Sequence, residues 1–422
     1  MSAGATTGRC PIDHEFDPFG AEFQSDPART MRDAQPVFYS EIFGWCVVTW
    51  FADIRAVFSD TQSFSSQNFA APVVPLATAA VEKLAEYDYV PARSLSTIDE
   101  PIHLLRRRKL AEPFKAKNTG VWEPRIREVQ TEYIDRFADR GHADLVSDLF
   151  WEAPAVVAMD FMGIPQEDRE KVKTYGEGLM HFLFGRPTEQ DQVETADMIG
   201  RSQQYARELF ARLKEDPSGP GFLPMAVRAY LAEPDVFDED FIVALGVNTL
   251  AAAHETTSGS LANAVVLLLS HLDAWDAICA DPTLIPGAAE ECLRVSPSLV
   301  TNRRLCVKDT VIGGVPIPAG AQVLLGTAAG SVDPEAFEDP DTLDITRANA
   351  KSQMVFGYGA HFCLGAPLAR LQMKVALEEL TGRLPHMRLV TDQEFDYPVN
   401  SSARSPRSIL VGWDPEQNPH VL

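Results

Sequence analysis

The strongest pattern along this chain is a nearly continuous apolar run at residues 241–272. Its apolar positions cover almost the whole helical circumference, and the polar residues that interrupt it are Asn248, His254, Glu255, Asn263 and His271. These central polar residues make the run costly to place across a bilayer. A helix that is apolar nearly all round is typical of the buried middle of a large protein. We therefore predict a long core helix here.

Shorter patterns predict many helices and few strands. Residues 37–39 and 45–49 predict a β-hairpin, apolar spacing over 51–59 predicts a helix, and 66–98 predict a long loop with one short helix. Further helices are predicted over 99–114, 122–137, 143–162, 167–184, 188–214, a segment ending at 295, and 366–380. Further strands are predicted over 310–316, 321–326 and 388–390. Because no repeat or long linker divides the chain, we expect one mainly α-helical domain over residues 1–422, with a smaller β-rich region.

The composition of the chain limits the classes of molecule that it can be expected to bind. The chain has 37 Lys and Arg against 60 Asp and Glu, a net charge of −23, so its overall field repels nucleic acid. Its six cysteines lack paired spacing, which favours reduced thiols in a cytoplasmic protein. Residues 1–16 lack a basic start followed by an apolar stretch, so we expect no signal peptide, no anchor and no membrane partner.

One cysteine lies in a glycine-rich string, FGYGAHFCLG, at residues 356–365, here called the Cys loop. Gly359 and Gly365 allow a tight turn and a close approach to a flat ligand. A helix that begins just after Cys363 would point free N–H groups at the sulfur and favour the thiolate, which is a ligand for haem iron. The alternative is a buried structural cysteine.

The whole string resembles the haem-thiolate signature F-G-x-G-x-H-x-C-x-G of the cytochrome P450 family. This resemblance implies the cytochrome P450 fold over essentially the whole chain and haem b as cofactor. It also implies that Cys363 is the axial ligand of the iron, the metal site. Contacts with the cofactor are implied for Phe356, Gly357, Gly365 and Ala252.

A second string, AAHETT at residues 252–257, places an acid next to a hydroxyl inside the core helix. Such groups are costly to bury unless they are used or paired. The string resembles the acid–alcohol pair of the family, with Ala253 where the family usually has glycine. By resemblance, Thr256 would hold dioxygen and water, and Glu255 would relay protons. The alternative is a polar notch that packs against another helix.

Two further sets of residues are candidates, one for a structural role and one for binding the cofactor. Glu291 and Arg294 share a helix face at i, i+3 spacing, and alone they would be an ordinary ion pair. They resemble the E-x-x-R of the family, which implies a buried triad with Arg347. The resemblance also implies four partners for the haem propionates, which are His103, Arg107, Arg304 and His361.

A basic patch follows in sequence, made of Arg106, Arg108, Lys109, Lys115 and Lys117. It is either a solvated face or a docking surface for an acidic electron donor. The resemblance also implies an apolar substrate pocket, and so an apolar or aromatic small-molecule substrate. Its candidate residues are Phe182, Leu250, Ala251, Leu299, Val300, Ser401 and Ser402.

Within the family, several stretches resemble the haem domain of the self-sufficient class, in which haem, flavin and iron–sulfur modules are fused. They include residues 10–14, 383–387 and 413–415. The chain contains neither a dinucleotide fingerprint nor ferredoxin cysteine spacing, so it is either a stand-alone relative or a haem domain separated from its reductase. We expect a monooxygenase that takes dioxygen and NAD(P)H electrons through a ferredoxin or a flavin/iron–sulfur reductase. It would catalyse hydroxylation or oxidative O-dealkylation. A peroxide-driven peroxygenase and a haem-thiolate sensor or binding protein are the alternatives.

Overall fold

The computed structural model describes residues 11–91, 93–176 and 178–419. Helices dominate this part of the chain. They are α1 (Ala21–Ser25), α2 (Pro27–Arg32), α3 (Phe51–Ser59), α4 (Thr78–Ala85), α5 (Ile102–Leu110), α6 (Ala116–Thr119), α7 (Glu123–Asp135), α8 (Glu152–Met162), α9 (Arg169–Lys173), α10 (Leu179–Phe184), α11 (Glu189–Glu215), α12 (Phe222–Ala232), α13 (Glu239–Ser270), α14 (Leu272–Ala280), α15 (Ile285–Val295), α16 (Thr327–Ser331) and α17 (Ala366–Arg383).

Within the described residues, the strands are short and lie in three sheets. They are β1 (Ile12–Asp13), β2 (Val37–Ser40), β3 (Trp45–Val48), β4 (Phe64–Ser65), β5 (His142–Asp144), β6 (Asn302–Cys306), β7 (Thr310–Ile312), β8 (Val315–Ile317), β9 (Gln322–Leu325), β10 (Arg388–Leu389) and β11 (Leu410–Gly412). The largest sheet has the order β1-β2-β3-β9-β6-β4, and the others are β10-β11-β5 and β7-β8. The mainly α-helical class with a β-rich region is confirmed.

The predicted core helix is α13. The Asp238 side chain caps its N-terminus by accepting a hydrogen bond from the Phe241 N–H at 2.8 Å. Helices α8, α11, α12, α15 and α17 pack against it, which explains why it can be apolar on nearly all sides. None of the described helices alone is long and apolar enough to span a membrane. Helices α13 and α14 meet that test only as a pair, and a bend of 103° separates them.

Several element predictions are confirmed. Strands β2 and β3 form the predicted antiparallel hairpin, with Val37 opposite Val48. Helix α3 covers the predicted residues 51–59, and α4 is the one short helix within 66–98. Helix α17 begins three residues after Cys363, as the apolar run predicts.

Other predictions were wrong at their boundaries. The predicted helix over 143–162 starts as strand β5, continues through a π-helical turn (Val146–Phe150), and becomes regular only at α8. The predicted helix over 167–184 is broken into α9 and α10, because Gly178 has a φ of +76°. The predicted strand over 310–316 is the hairpin β7–β8, which turns at Gly313 and Gly314 with positive φ. Strand β6 and helix α12 were not predicted.

Candidate active site

The Cys loop contains a 3-10 turn (Gly359–His361) and leads directly into helix α17. Gly357 and Gly359 have φ of +69° and +71°. At Gly359 a Cβ would lie 2.8 Å from the Phe58 carbonyl oxygen, so both the backbone and the space require glycine. Gly365 has a φ of −80°, which any residue can adopt. Gly365 does lie in a turn before α17, but this turn does not require glycine, whereas Gly357 adopts a left-handed conformation.

The Cys363 backbone N–H donates to the Phe356 carbonyl at 2.8 Å, which closes the loop. The side chain is solvent-accessible, yet protein atoms surround it so closely that burial is the largest effect on its pKa. Burial raises the thiol pKa, and the N–H groups of Gly365 and Ala366 with Arg107 oppose that rise only in part. The expected net preference for thiolate is thus wrong for the thiol by itself. Metal binding would displace the proton.

Two histidines and two arginines form a cradle next to this loop. The imidazoles of His103 (on α5) and His361 (in the Cys loop) are stacked, with ring centroids 3.9 Å apart. Arg107, one turn after His103, donates from Nη2 to the Phe362 carbonyl and so ties α5 to the residue before Cys363. Arg304, on β6, is 4 % exposed and stacks over Phe58 at 4.8 Å.

The cradle carries positive charge and hydrogen-bond donors without matching carboxylates. Among the described residues, neither ring nitrogen of His103 has a hydrogen-bond partner, and neither Arg107 nor Arg304 forms an ion pair within 4.0 Å. Burial and then Arg107 lower the pKa of His103 to about 4, and burial lowers the pKa of Arg304 to about 10. Burial, then His103 and the arginines, lower the pKa of His361 to about 3.

One carboxylate lies near the cradle, and it is already engaged. Asp99 accepts hydrogen bonds from the Ser65 hydroxyl at 2.5 Å and from the Ser66 N–H at 3.0 Å. The Ser66 hydroxyl in turn lies 3.3 Å from His361 Nε2. Arg107 and Arg304 bond only neutral oxygens, and the ring nitrogens of His103 lack a hydrogen-bond partner among the described residues, so the cradle fits an anionic ligand. The carboxylates of haem, beside a cysteine sulfur, match this donor set.

The acid–alcohol pair lies in the middle of α13. The Thr256 hydroxyl donates to the Ala252 carbonyl at 2.5 Å, one helical turn earlier. Ala252 is exposed although most of this part of the helix is buried, so α13 borders an internal cleft at this point. Glu255 and Thr256 line a cleft together with Ser298 and Leu299. The structure therefore places an acid and a hydroxyl side by side on a cavity wall.

Glu291 lies between the two arginines that the sequence suggested. Its carboxylate is 2.7 Å from Arg294 Nη2 and 3.0 Å from Arg347 Nε, and both Glu291 and Arg294 are 0 % exposed. Arg294 also donates to the Ser331 and Pro340 carbonyls at 3.0 and 2.8 Å. The ordinary surface ion pair that was the alternative is excluded by this burial.

The predicted substrate residues do not all meet. Leu299 lies on the cleft that holds Thr256, but Leu250 lines a different cavity between α11, α12 and α13. Phe182 packs in a separate apolar cluster with α4, and Val300 packs in another beside the main sheet. The hydroxyls of Ser401 and Ser402 donate to backbone carbonyls. Ala251 is buried.

The basic patch is largely neutralised. Arg106 pairs with Asp238 at 2.6 Å, Lys109 pairs with Glu233 at 2.6 Å, and Lys115 and Lys117 share Glu112. Arg108 is exposed and, within the described part of the chain, forms no ion pair. The five cations therefore face three carboxylates, and Arg108 is the patch residue most available to a partner.

Comparisons with known proteins identify the family. A sequence model described as Cytochrome P450 matches residues 283–384, which include α15, the triad glutamate and the Cys loop. The erythromycin C-12 hydroxylase of Saccharopolyspora erythraea is 32% identical over 398 residues, which cover 92% of this chain and 94% of that protein. The chain belongs to the cytochrome P450 family. It is accordingly a monooxygenase of this family, whose cofactor is haem b.

Solved structures also place this P450 near the self-sufficient class. An intact type IV self-sufficient cytochrome P450 monooxygenase is 44% identical with a TM-score of 0.94, over 96% of this chain and 54% of that chain. The present chain thus spans about half the length of that relative. The P450 haem domain of Tepidiphilus thermophilus is 39% identical with a TM-score of 0.93, over 96% of this chain and 98% of that one.

Sequence reasoning missed two serines at the acid–alcohol pair. Ser260 and Ser298 both donate to the backbone carbonyl of Thr256. Ser260 could have been found, because it lies four residues after Thr256 on the same helix face. Ser298 lies in an irregular segment after α15, and no spacing rule connects it to α13.

Proposed function

We propose that this P450 inserts one atom of dioxygen into an apolar small molecule, either aliphatic or aromatic, by hydroxylation or O-dealkylation. Its electrons come from NAD(P)H through a ferredoxin or a flavin/iron–sulfur reductase, separate or fused. The single observation that carries the proposal is the cradle of His103, Arg107, Arg304 and His361 joined to the Cys loop. The likeness to a self-sufficient P450 supports a flavin and iron–sulfur donor.

The residues of this chain have separate tasks in that reaction. Haem b, when bound, supplies the iron at which dioxygen is activated. Cys363 is the ligand of that iron, and the cradle binds the haem carboxylates. The further residues that would contact the bound haem are Phe356, Gly357, Gly365 and Ala252. Residues 1–422 form one haem-binding monooxygenase domain.

Glu255 and Thr256 handle protons on the cleft wall. The Thr256 hydroxyl gives its proton to the Ala252 carbonyl, so its oxygen can accept a hydrogen bond from a water or ligand in the cleft, while its backbone carbonyl accepts from neighbouring serines. Glu255, the preceding residue, can pass a proton from solvent towards that water or ligand. The cleft that Thr256 shares with Leu299 receives the substrate. Glu291, Arg294 and Arg347 act in folding and haem retention.

The first test is the identity of the iron ligand. Wild-type protein reconstituted with haem should give a ferrous–CO complex with the strongly red-shifted Soret band of thiolate ligation. Cys363→His should lose that band, because imidazole replaces the sulfur. Cys279→Ser is a matched control, since Cys279 is a half-buried thiol on α14. A histidine-type CO spectrum in the wild type would overturn the proposal.

The second test separates the three functional classes. NADH with a surrogate ferredoxin and reductase should yield oxygenated product from a panel of apolar compounds. Compounds that shift the iron spin state in the optical spectrum would be selected first. Product from hydrogen peroxide alone, with none from NADH, would instead indicate a peroxygenase. Spectral binding without product under either condition would indicate a sensor or binding protein.

A further inference from the structure

The backbone carbonyl of Thr256 is held by two hydroxyl groups. It accepts from Ser260 Oγ at 2.8 Å and from Ser298 Oγ at 2.9 Å. The two serine oxygens lie 2.8 Å from each other, so the three oxygens form a closed cluster whose three contacts share two hydroxyl protons. Ser260 belongs to α13 itself, whereas Ser298 comes from the segment that follows α15. The carbonyl of Thr256 is therefore anchored from outside its own helix.

The packing at this point fixes the distance between α13 and the segment of Ser298. At Gly259 a Cβ would lie 3.1 Å from Ser298 Cβ and 3.2 Å from Ser405 Cβ, closer than most real contacts. Glycine thus allows two other segments to approach the helix directly beside Ser260. Ser298 is 5 % exposed, so solvent has little access to its hydroxyl. The hydrogen bond to Thr256 is consequently well defined.

The anchored carbonyl belongs to Thr256, the residue whose side-chain hydroxyl lies on the cleft wall. Hydroxyl groups that bond back to a carbonyl four residues earlier loosen and bend a helix. Two such bonds follow each other here, from Thr256 to Ala252 and from Ser260 to Thr256. A helix loosened at consecutive turns needs an external contact to keep one geometry. Ser298 supplies that contact.

We propose that Ser298 is a positioning residue for Thr256. By holding the Thr256 carbonyl, it fixes where the Thr256 hydroxyl lies relative to the cleft. The next residue, Leu299, lines that same cleft. The segment that holds the Thr256 carbonyl therefore also forms part of the wall that would contact the substrate. This inference rests on the proposed role of Thr256 in proton handling.

The test compares serine variants of the haem-loaded enzyme. Ser298→Ala and Ser260→Ala each remove one hydroxyl from the cluster. Thr256→Ala is the reference variant, in which the proton-handling hydroxyl itself is lost. Ser270→Ala is the matched control. Ser270 makes the same kind of bond, to the Val266 carbonyl at 2.7 Å, near the exposed end of α13. Peroxide formed per NADH is measured for each variant, together with haem content and the ferrous–CO spectrum.

We expect Ser298→Ala to keep its haem and its thiolate CO band while its peroxide yield per NADH rises about 2- to 10-fold, the effect of one lost hydrogen bond. Backbone amides of residues 256–260 should also exchange hydrogen faster than in the Ser270→Ala control. A Ser298→Ala enzyme with wild-type coupling, beside an uncoupled Thr256→Ala enzyme, would overturn the inference. So would unchanged amide exchange, or a loss of coupling explained by lost haem. If Thr256→Ala itself stays coupled, the proposed role of Thr256 fails instead.

Discussion

At the scale of single residues, the Thr256 hydroxyl combines two properties that a merely structural threonine does not need. It bonds the Ala252 carbonyl at 2.5 Å, and it lies on the wall of a cleft beside a carboxylic acid. The first property sets its orientation, and the second gives it access to a ligand. Its removal therefore leaves the helix nearly intact but takes a hydrogen-bonding oxygen from the cleft.

We expect Thr256→Ala to consume NADH and dioxygen while forming less product and more peroxide. Removal of a well-placed proton-transfer group costs about 10²- to 10⁴-fold in the step that it serves. Product and peroxide per NADH would be measured with a surrogate redox partner. Glu255→Gln should slow the same step, because the amide cannot relay a proton. Unchanged product yield per NADH in Thr256→Ala would show that this residue only fills a notch in α13.

At the scale of elements, a glycine decides where helix α8 ends. Gly163 follows α8 with a φ of +79°, and a Cβ there would lie 2.5 Å from the Pro220 carbonyl oxygen. The end of α8 thus depends on close contact with the loop that leads into α12. Both helices pack against α13, so this contact also supports the core behind the site.

Gly163→Ala should therefore destabilise the protein by more than about 1 kcal/mol, because both the left-handed backbone and the space exclude a side chain. The free energy of unfolding in urea would measure the effect. Gly382→Ala is the control, since Gly382 lies in α17 with no atom near a new Cβ. That variant should be neutral or stabilising by about 0.5–1 kcal/mol. Equal stability of the two variants would contradict the argument.

Apolar spacing predicted the helices whose formation depends on local sequence. It failed for elements whose formation depends on contacts with residues far away in the sequence. Helices α3, α11 and α13 have clear apolar spacing and were predicted within a few residues. The start of the 143–162 segment was missed because β5 is stabilised by pairing with β11, more than 260 residues later. Strand β6 was missed because its pairing with β9 depends on the tertiary fold.

The same limit applies to the candidate site. The Cys loop and the AAHETT string are each made of consecutive residues, so both motifs could be recognised from the sequence alone. The contact of Ser298 with Thr256 joins residues 42 positions apart and has no local signature. The thiol pKa was predicted in the wrong direction, because a helix N-terminus is visible in sequence whereas the burial of the sulfur is not.

At the scale of the whole molecule, the triad of Glu291, Arg294 and Arg347 connects α15 with the chain that leads to the Cys loop. Arg347 donates to the Asp339 and Thr342 carbonyls, both at 3.1 Å, and Glu291 accepts from the Asp344 N–H at 3.0 Å. A buried charge network of this kind fixes the path of residues 331–347 just before the loop.

Glu291→Gln should be strongly destabilising, since two buried arginines lose the carboxylate that they share. Loss of one partner from a buried pair costs about 3–5 kcal/mol. Haem retention during gel filtration and the urea midpoint would both fall. Glu132→Gln, which breaks an exposed pair with Arg136, is the control and should change neither. Normal haem retention in Glu291→Gln would show that the triad is not needed to keep the cofactor.

The electron donor meets the molecule at long range, where net charge matters. In a chain of charge −23, the basic patch keeps one exposed arginine, Arg108, without an ion pair in the described part of the chain. Because its other cations are paired with carboxylates, we expect steering by the patch to be modest and centred on Arg108. Its neighbour Arg107 belongs to the cradle, so Arg108 is the residue to change.

Arg108→Glu should slow reduction by an acidic ferredoxin at low ionic strength, and the difference from wild type should shrink as salt rises. Screening limits such attraction to about 8 Å at 0.15 M ionic strength. Stopped-flow reduction rates across a salt series would measure this, with substrate affinity and peroxide-driven turnover unchanged. Arg407→Glu, the same charge change at an exposed arginine near Asp396, is the control. If Arg108→Glu and wild type give the same rates at every salt concentration, the patch is a solvated face and the donor docks elsewhere.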